Sequence, residues 1–443
     1  MRSSNAAGWG QPALPMTAMP SASRERPIWL HVGTLLDGTS TQPCRDAHVV
    51  YNATKILFVG VDGRTPPRDV LRDGQTAPDV SAPDATLLPG LIEAHAHLFL
   101  EGGELNADKR AAYLQQTPDQ LLALAKERLP KLARFGIAGV RDAGDKDGVG
   151  LALSKLCSTG NGSRPLMPYM ESPGAAIHHK GRYGSFMADA IENHASLRAV
   201  VASRVAAGAD RIKLIPTGII NFKKAAVTAE PQMTTEEVAE IVAAAKSFNR
   251  QTFAHASGDL GIDRAIDGGV DSVEHGFFLR DDQLAKLRDR HVAWVPTFAP
   301  VQKQVDHAEV MKWEPDIVTN LRGILDRHAA SLAKAHAMGV TIIAGSDAGS
   351  YGVAHGVDFL YELELMERAG MPSLAVINAA TGVSSVRLRY KEKLGRIEAG
   401  FLPRFILTRH SPLDTVSNLR KTRTVIFDGE AFETSEDADV KGL

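Results

Sequence analysis

The chain has 443 residues, 44% of them hydrophobic and 23% charged, which excludes a disordered, collagen-like or coiled-coil protein. Fifty Lys and Arg face 52 Asp and Glu, so a net charge of −2 offers no basic field for nucleic acid. The two cysteines, Cys44 and Cys157, cannot build a disulfide framework and read as small buried hydrophobes in a reducing compartment.

Residues 1–27 are rich in Ser, Ala, Pro and Gly and hold no continuous apolar run. They read as a flexible extension rather than a secretory signal. No window approaches the ~18 apolar residues of a membrane span. The expectation is a cytoplasmic protein without membrane or nucleic-acid partners.

From residue 28 the chain turns β-rich. Trp29–Leu36, His48–Tyr51 and Lys55–Val61 read as short strands, the last closed by Asp62-Gly63. A matching block returns near the end, with strands predicted at Phe405–Thr408 and Thr424–Phe427 before Asp428-Gly429. Two such blocks around a long middle predict one small β-sandwich domain assembled from residues 28–85 and 389–443.

The middle, residues 86–388, alternates short apolar runs with amphipathic helical stretches. Eight runs read as strands: Leu88–Ile92, Gly136–Val140, Leu166–Met170, Arg211–Ile215, Thr252–Ala254, Ser272–Glu274, Ala293–Thr297 and Val340–Ala344. Helices are predicted over Pro118–Phe135, with Thr117 as N-cap, and over Thr234–Phe248, where Thr234-Thr-Glu-Glu237 reads as a capping box. Strand–helix alternation implies parallel βα units. Eight of them predict an α/β fold, a (β/α)8 barrel carrying the β-sandwich on its termini. A doubly wound sheet is the alternative, but no Gly-rich dinucleotide fingerprint follows an early strand.

In such a barrel the chemistry gathers at the C-terminal ends of strands. Those ends carry His95 and His97 in Glu93-Ala-His-Ala-His97, Lys213, His255, His275 and Asp347. On extended backbone the two imidazoles of H-x-H share one face, because side chains alternate with period two. Two neutral imidazoles then converge on one cation. The same pair alone would also suit ordinary surface or capping histidines. Four His and one Asp at predicted strand ends point to a metal site.

Lys213 sits in an otherwise apolar run, Arg211-Ile-Lys-Leu-Ile215. A buried ammonium is costly, so its pKa should fall. A neutral amine can add carbon dioxide and become a carbamate, an anion with two oxygens. A plain lysine paired with Asp347 or Asp142 fits burial equally well.

Leu87-Leu-Pro-Gly-Leu-Ile-Glu-Ala-His-Ala-His97 resembles the first-strand signature of the amidohydrolase superfamily, and Gly345-Ser-Asp-Ala-Gly349 resembles its eighth. Gly136-Ile-Ala-Gly-Val-Arg-Asp-Ala-Gly144 is similar to the second strand of the imidazolonepropionase-related branch. That branch holds prolidase-like dipeptidases and carboxypeptidases, ochratoxin-type amidases, and hydrolases of carbamate or urea herbicides. The resemblance spans about residues 33–429. Gly395-Arg-Ile-Glu-Ala-Gly400 fits its C-terminal pattern, but Pro403-Arg404 replaces an Ala-Asp pair.

The resemblance implies two divalent cations, zinc by expectation. His95, His97 and Asp347 would hold one, His255 and His275 the other, and a carboxylated Lys213 would bridge them. It also implies a homo-oligomer and hydrolysis of an amide in a small peptidyl or N-acyl amino acid, with Asp347 as the proton carrier. Such residues would equally serve a carbamate, urea or ester hydrolase. A mononuclear deaminase or ring-opening hydrolase is a further alternative, but relatives of that kind carry a glutamate shortly after the fifth-strand histidine. His255-Ala-Ser-Gly258 has none. A non-catalytic scaffold would have lost ligands.

Substrate contacts are expected from His178, His179, Arg182 and Tyr183 after the third strand, and from Tyr351 and His355 after the eighth. Arg182 suits a substrate carboxylate. The same residues also suit a solvated basic turn. Residues 298–313 read as an irregular lid. His291, His328 and His336 read as surface or packing residues.

Overall fold

The computed structural model describes residues 19–158 and 166–435. Residues 1–18 of the expected extension lie outside them. Four strands open the chain: β1 (Ile28–Leu35), β2 (Cys44–Tyr51), β3 (Ile56–Gly60) and β4 (Val80–Pro89). The middle carries β5 (Leu91–Ala96), β6 (Ile137–Asp142), β7 (Tyr169–Glu171), β8 (Ala176–His178) and β9 (Ala188–Ala190). It continues with β10 (Ile212–Leu214), β11 (Thr252–Ala256), β12 (Ser272–His275) and β13 (Ala293–Val295). β14 (Arg404–Thr408), β15 (Arg423–Phe427) and β16 (Glu430–Thr434) follow.

Strands from both termini join in one seven-stranded sheet, ordered β16-β15-β14-β4-β1-β2-β3. All its pairs are antiparallel except β1 with β4. Ile28, Val49, Leu87, Phe405 and Ile426 meet in one buried apolar cluster. The departure at Pro403-Arg404 is absorbed here: Arg404 pairs with Asp428 at 2.8 Å and lies over the Phe427 ring. This sheet sets the path into the middle. β14 pairs with β4 (Ile406 opposite Leu88), and Gly90 then donates to the Arg404 carbonyl at 2.8 Å. β5 starts one residue later.

The middle is α/β with parallel sheets. β5-β6-β7 form one, and β13-β12-β11-β10-β8-β9 the other. Every residue of β5, β6 and β11 is buried, as expected for parallel strands covered on both faces. Both predicted helix starts hold. Helix Pro118–Arg134 begins with a Thr117–Gln120 capping box, and helix Thr235–Ser247 with a Thr234–Glu237 one.

Three expectations are corrected. The third run starts later than Leu166, at Tyr169. Leu166 has φ of +68°, and Pro168 lacks the N–H a ladder needs and restrains Met167 before it. The eighth run makes only a parallel bridge from Ile342 to Trp294, with Ala344 accepting from Ala94 N at 2.9 Å. Residues 298–313 are no irregular lid. Helix Ala299–Asp306 fills half of them, with Pro300 in its first turn where a missing N–H costs nothing. Among the described residues no helix is long and apolar enough to cross a membrane.

Candidate metal centre

The strand pattern brings the six predicted residues together. β5 ends at Ala96, so His95 lies on it and His97 just beyond. Lys213 is central in β10, His255 lies on β11 and His275 closes β12. Parallel register sets His255 opposite Glu274 and Ala256 opposite His275. Asp347 reaches the same place because its N–H donates to the His95 carbonyl at 2.7 Å while Ala348 bridges to Ala96. Glu93 ties the two segments further, accepting from His95 N (2.9 Å), Ser346 N (3.0 Å) and Ser346 Oγ (2.5 Å).

Ligating atoms of His95, His97 and Asp347 lie within 4.8 Å of one another. Asp347 Oδ1 stands 3.6 Å from His95 Nε2 and 3.7 Å from His97 Nε2. Two ligands ~2.1 Å from a tetrahedral cation stand ~3.4 Å apart, so the spacing fits a shared metal. The His255 and His275 rings are 4.5 Å apart, and His275 is 5.1 Å from His95. Lys213 Nζ lies 3.5 Å from His95 Nε2.

Each imidazole has one nitrogen committed. His95 Nδ1 donates to Glu274 Oε2 at 2.7 Å, and His97 Nδ1 to the Gly144 carbonyl at 3.0 Å. The Thr297 hydroxyl donates to the Pro296 carbonyl, so its oxygen accepts from His275 Nδ1 at 2.8 Å. His255 Nε2 donates to the Gly218 carbonyl at 3.3 Å. The nitrogens left to the centre are therefore Nε2 of His95, which Lys213 Nζ approaches at 3.5 Å, Nε2 of His97 and His275, and Nδ1 of His255. Anchored second nitrogens are what metal-binding histidines need.

Burial keeps these rings neutral, the form that ligates. Burial and then Lys213 push His97 and His255 down to about 3, and burial takes His95 and His275 well below the ordinary histidine range. Burial also lowers Lys213, against the pull of Glu274 and Asp347, and raises Asp347, against the pull of Lys213. His275 and Asp347 both hold left-handed backbone, φ +67° and +57°. Such strain at non-glycine residues clusters at functional sites.

A cavity of about 400 Å³ opens onto His97, Lys213, His255, His275 and Asp347. Of the expected substrate residues, Tyr183 and Tyr351 line it, and Tyr183 lies 5.4 Å from the His255 ring. The other four are not among the lining residues. His178 is drawn into the sheet by β8 pairing with β9. His179 turns to Glu192 (2.8 Å) and Glu237 (3.2 Å). Arg182 donates to the Glu230 carbonyl, and His355 Nε2 to the Leu100 carbonyl at 2.9 Å.

Sequence reasoning passed over Glu274, which orients His95, and Arg141, which pairs with Glu274 at 2.7 Å. It also passed over Arg110, which lines the cavity. The His275 neighbour Glu274 was visible as a strand-end acid; nothing local marked Arg110.

Residues 86–432 match the model of the amidohydrolase family. The solved structure of a Xaa-Pro dipeptidase with methionine bound in its active site is similar, with a TM-score of 0.76 and 26% identity, over 92% of this chain and 100% of that one. Ochratoxinase of Aspergillus niger is 25% identical over 426 residues, 89% of this chain and 84% of that protein. The crystal structure of the A. niger enzyme shares the fold at a TM-score of 0.73 and 22% identity, over 93% of this chain and 98% of that one.

Proposed function

The chain belongs to the amidohydrolase family and is a hydrolase of carbon–nitrogen bonds, and on that premise we propose that it cleaves the amide of a peptidyl or N-acyl amino acid with two bound divalent cations. The carrying observation is the convergence of His95, His97 and Asp347 within 4.8 Å, with Lys213 3.5 Å from His95. We read the parallel strands as a (β/α)8 barrel whose strand ends hold this centre. The likeness to a Xaa-Pro dipeptidase and to ochratoxinase supports the substrate class.

His95, His97 and Asp347 would hold one cation, and His255 and His275 the other. Lys213, whose ammonium burial disfavours, would add carbon dioxide as the free amine, release a proton and become an anionic carbamate able to serve as a further ligand. Bound cations, zinc by expectation, would lower the pKa of a water to give a nucleophile at neutral pH and would polarise the scissile carbonyl. Asp347 accepts the proton of the attacking water and delivers it to the leaving amine. Glu274 and Thr297 hold the His95 and His275 rings in the ligating tautomer. Tyr183 and Tyr351 contact the substrate from the cavity wall.

Elemental analysis of the wild type and Lys213→Ala tests this reading. Two metals per chain in the wild type, lost in the variant, support it. One metal, unaffected by the substitution, overturns the role of Lys213 and favours a mononuclear deaminase or ring-opening hydrolase.

A further inference from the structure

Of the charged and imidazole side chains that line the cavity, His97, Lys213, His255, His275 and Asp347 belong to the candidate metal centre, and Arg110 does not. Arg110 lies on helix Ala107–Tyr113 rather than on a strand, and is half-buried. One amino group donates to the Gly349 carbonyl at 3.1 Å, and the guanidinium lies 5.1 Å from the Tyr351 ring centroid. Neither is a counter-charge.

The acids nearby do not neutralise it. Glu104 is engaged by Asn106 N at 2.7 Å and by Lys109 at 3.5 Å. Glu101 and Glu104 attract Arg110 through space, yet among the described residues neither forms an ion pair with it. A guanidinium has five N–H donors and stays charged at any working pH. Among the described residues its hydrogen bond is to the Gly349 carbonyl, which leaves donors that a planar anion can take, two parallel hydrogen bonds at a time.

The rest of the wall says what the anion is attached to. Phe186, Ile219, Phe222, Phe277 and Val301 present apolar and aromatic surface to the same cavity. Gly349, the tether of Arg110, is two residues from Asp347 and packs on His97, where an added Cβ would meet the His97 carbonyl at 2.6 Å. An anion on Arg110 therefore sits beside the candidate reacting centre, on its His97 and Asp347 side. We infer that Arg110 binds the carboxylate of a substrate whose remaining body is apolar or aromatic, in the place sequence reasoning gave to Arg182. The inference rests on the amide-hydrolase reading for its reaction and on the cavity alone for its carboxylate.

The test uses the zinc-loaded full chain and two matched pairs. N-acetylphenylalanine and its C-terminal amide report turnover; 3-phenylpropionate and its methyl ester, followed by calorimetry, report binding. The wild type should favour each free acid. Arg110→Ala and Arg110→Gln should raise KM and Kd for the acids about 10–100-fold, collapsing the preference, and Arg110→Lys should recover part of it. Arg182→Ala should keep the wild-type preference. A preference that survives in both neutral Arg110 variants, or that Arg182→Ala abolishes, overturns the inference. Arg110-dependent binding of phenylpropionate without turnover of either amide would uphold the inference and sink the amidase reading. Turnover of both amides with no Arg110 dependence would do the reverse.

Discussion

Glu274 Oε2 lies 2.7 Å from His95 Nδ1, and the same oxygen accepts from Arg141 at 2.7 Å. One buried carboxylate thus fixes a candidate ligand and neutralises a buried guanidinium. Arg141 in turn donates to the Ala94 carbonyl at 2.6 Å and to Ser272 Oγ at 2.9 Å, lacing β5 to β12. Glu274→Gln keeps the shape but removes the charge. Its amide oxygen keeps both contacts only as a neutral acceptor, with the NH2 turned to Ser272 Oγ, which in the wild type donates to Oε1 at 2.6 Å. Zinc affinity, measured by competition with a chelator, should fall about 10–100-fold. Denaturant unfolding should show a loss approaching the ~3–5 kcal/mol of a broken buried pair. Unchanged affinity with lost stability would leave Glu274 a partner of Arg141 alone.

Asp347→Asn separates proton transfer from shape. The residue holds φ of +57°, a conformation asparagine tolerates well, so the backbone should survive. The amide cannot carry the proton from water to the leaving amine. With an N-acyl amino acid as substrate, kcat should drop by about 10²–10⁴. A variant that retains wild-type kcat would move the proton transfer to another group.

The cluster of candidate ligands was legible because two simple periodicities expose it. Alternation on a strand puts His95 and His97 on one side, and parallel register lines up His255 with its neighbour strand. Thr117 and Thr234 were legible as caps because a capping box is local. Arg141 and Glu274 were not, since they stand 133 residues apart and meet only through β5, β6 and β12. Arg182 misled for the converse reason. Its charge suits a carboxylate, but the turn after β8 aims it at Glu230 instead. Arg110 sits on a helix, where a search of strand ends does not look.

Gly345 is needed for close approach. A Cβ there would stand 2.7 Å from Val295 Cγ1 and 2.9 Å from both His95 N and His95 Cβ. Two of those atoms belong to the segment that carries a candidate ligand, so relief must come from moving β5 or β13. Gly345→Ala should cost about 1–3 kcal/mol by denaturant unfolding, as overpacking does. Metal content per chain should fall with it, because His95 would be displaced from Asp347. Full metal content at reduced stability would mean that β13 gives way and β5 does not.

His328, expected at the surface or in packing, is a buried packing residue with a link to the centre. Its ring stacks on Phe277 at 4.0 Å, and Nε2 donates to the Pro296 carbonyl at 2.9 Å. That carbonyl also accepts from the Thr297 hydroxyl, whose oxygen receives His275 Nδ1. Burial pushes His328 down to about 4, with the Pro296 hydrogen bond opposing. Unfolded, it titrates near 6.5. Between those values the unfolded chain holds a proton that the folded chain does not, so stability falls as pH drops. The contribution is intact above about pH 6.5 and gone below about 4, and the full span is worth on the order of 3 kcal/mol. His328→Gln can keep the hydrogen bond but does not titrate. Its denaturation midpoint should therefore lose less between pH 7 and pH 4 than the wild type's, measured with chelator present so that metal release does not contribute. Parallel curves for the two proteins would show that His328 is already neutral in the unfolded chain or protonated in the fold.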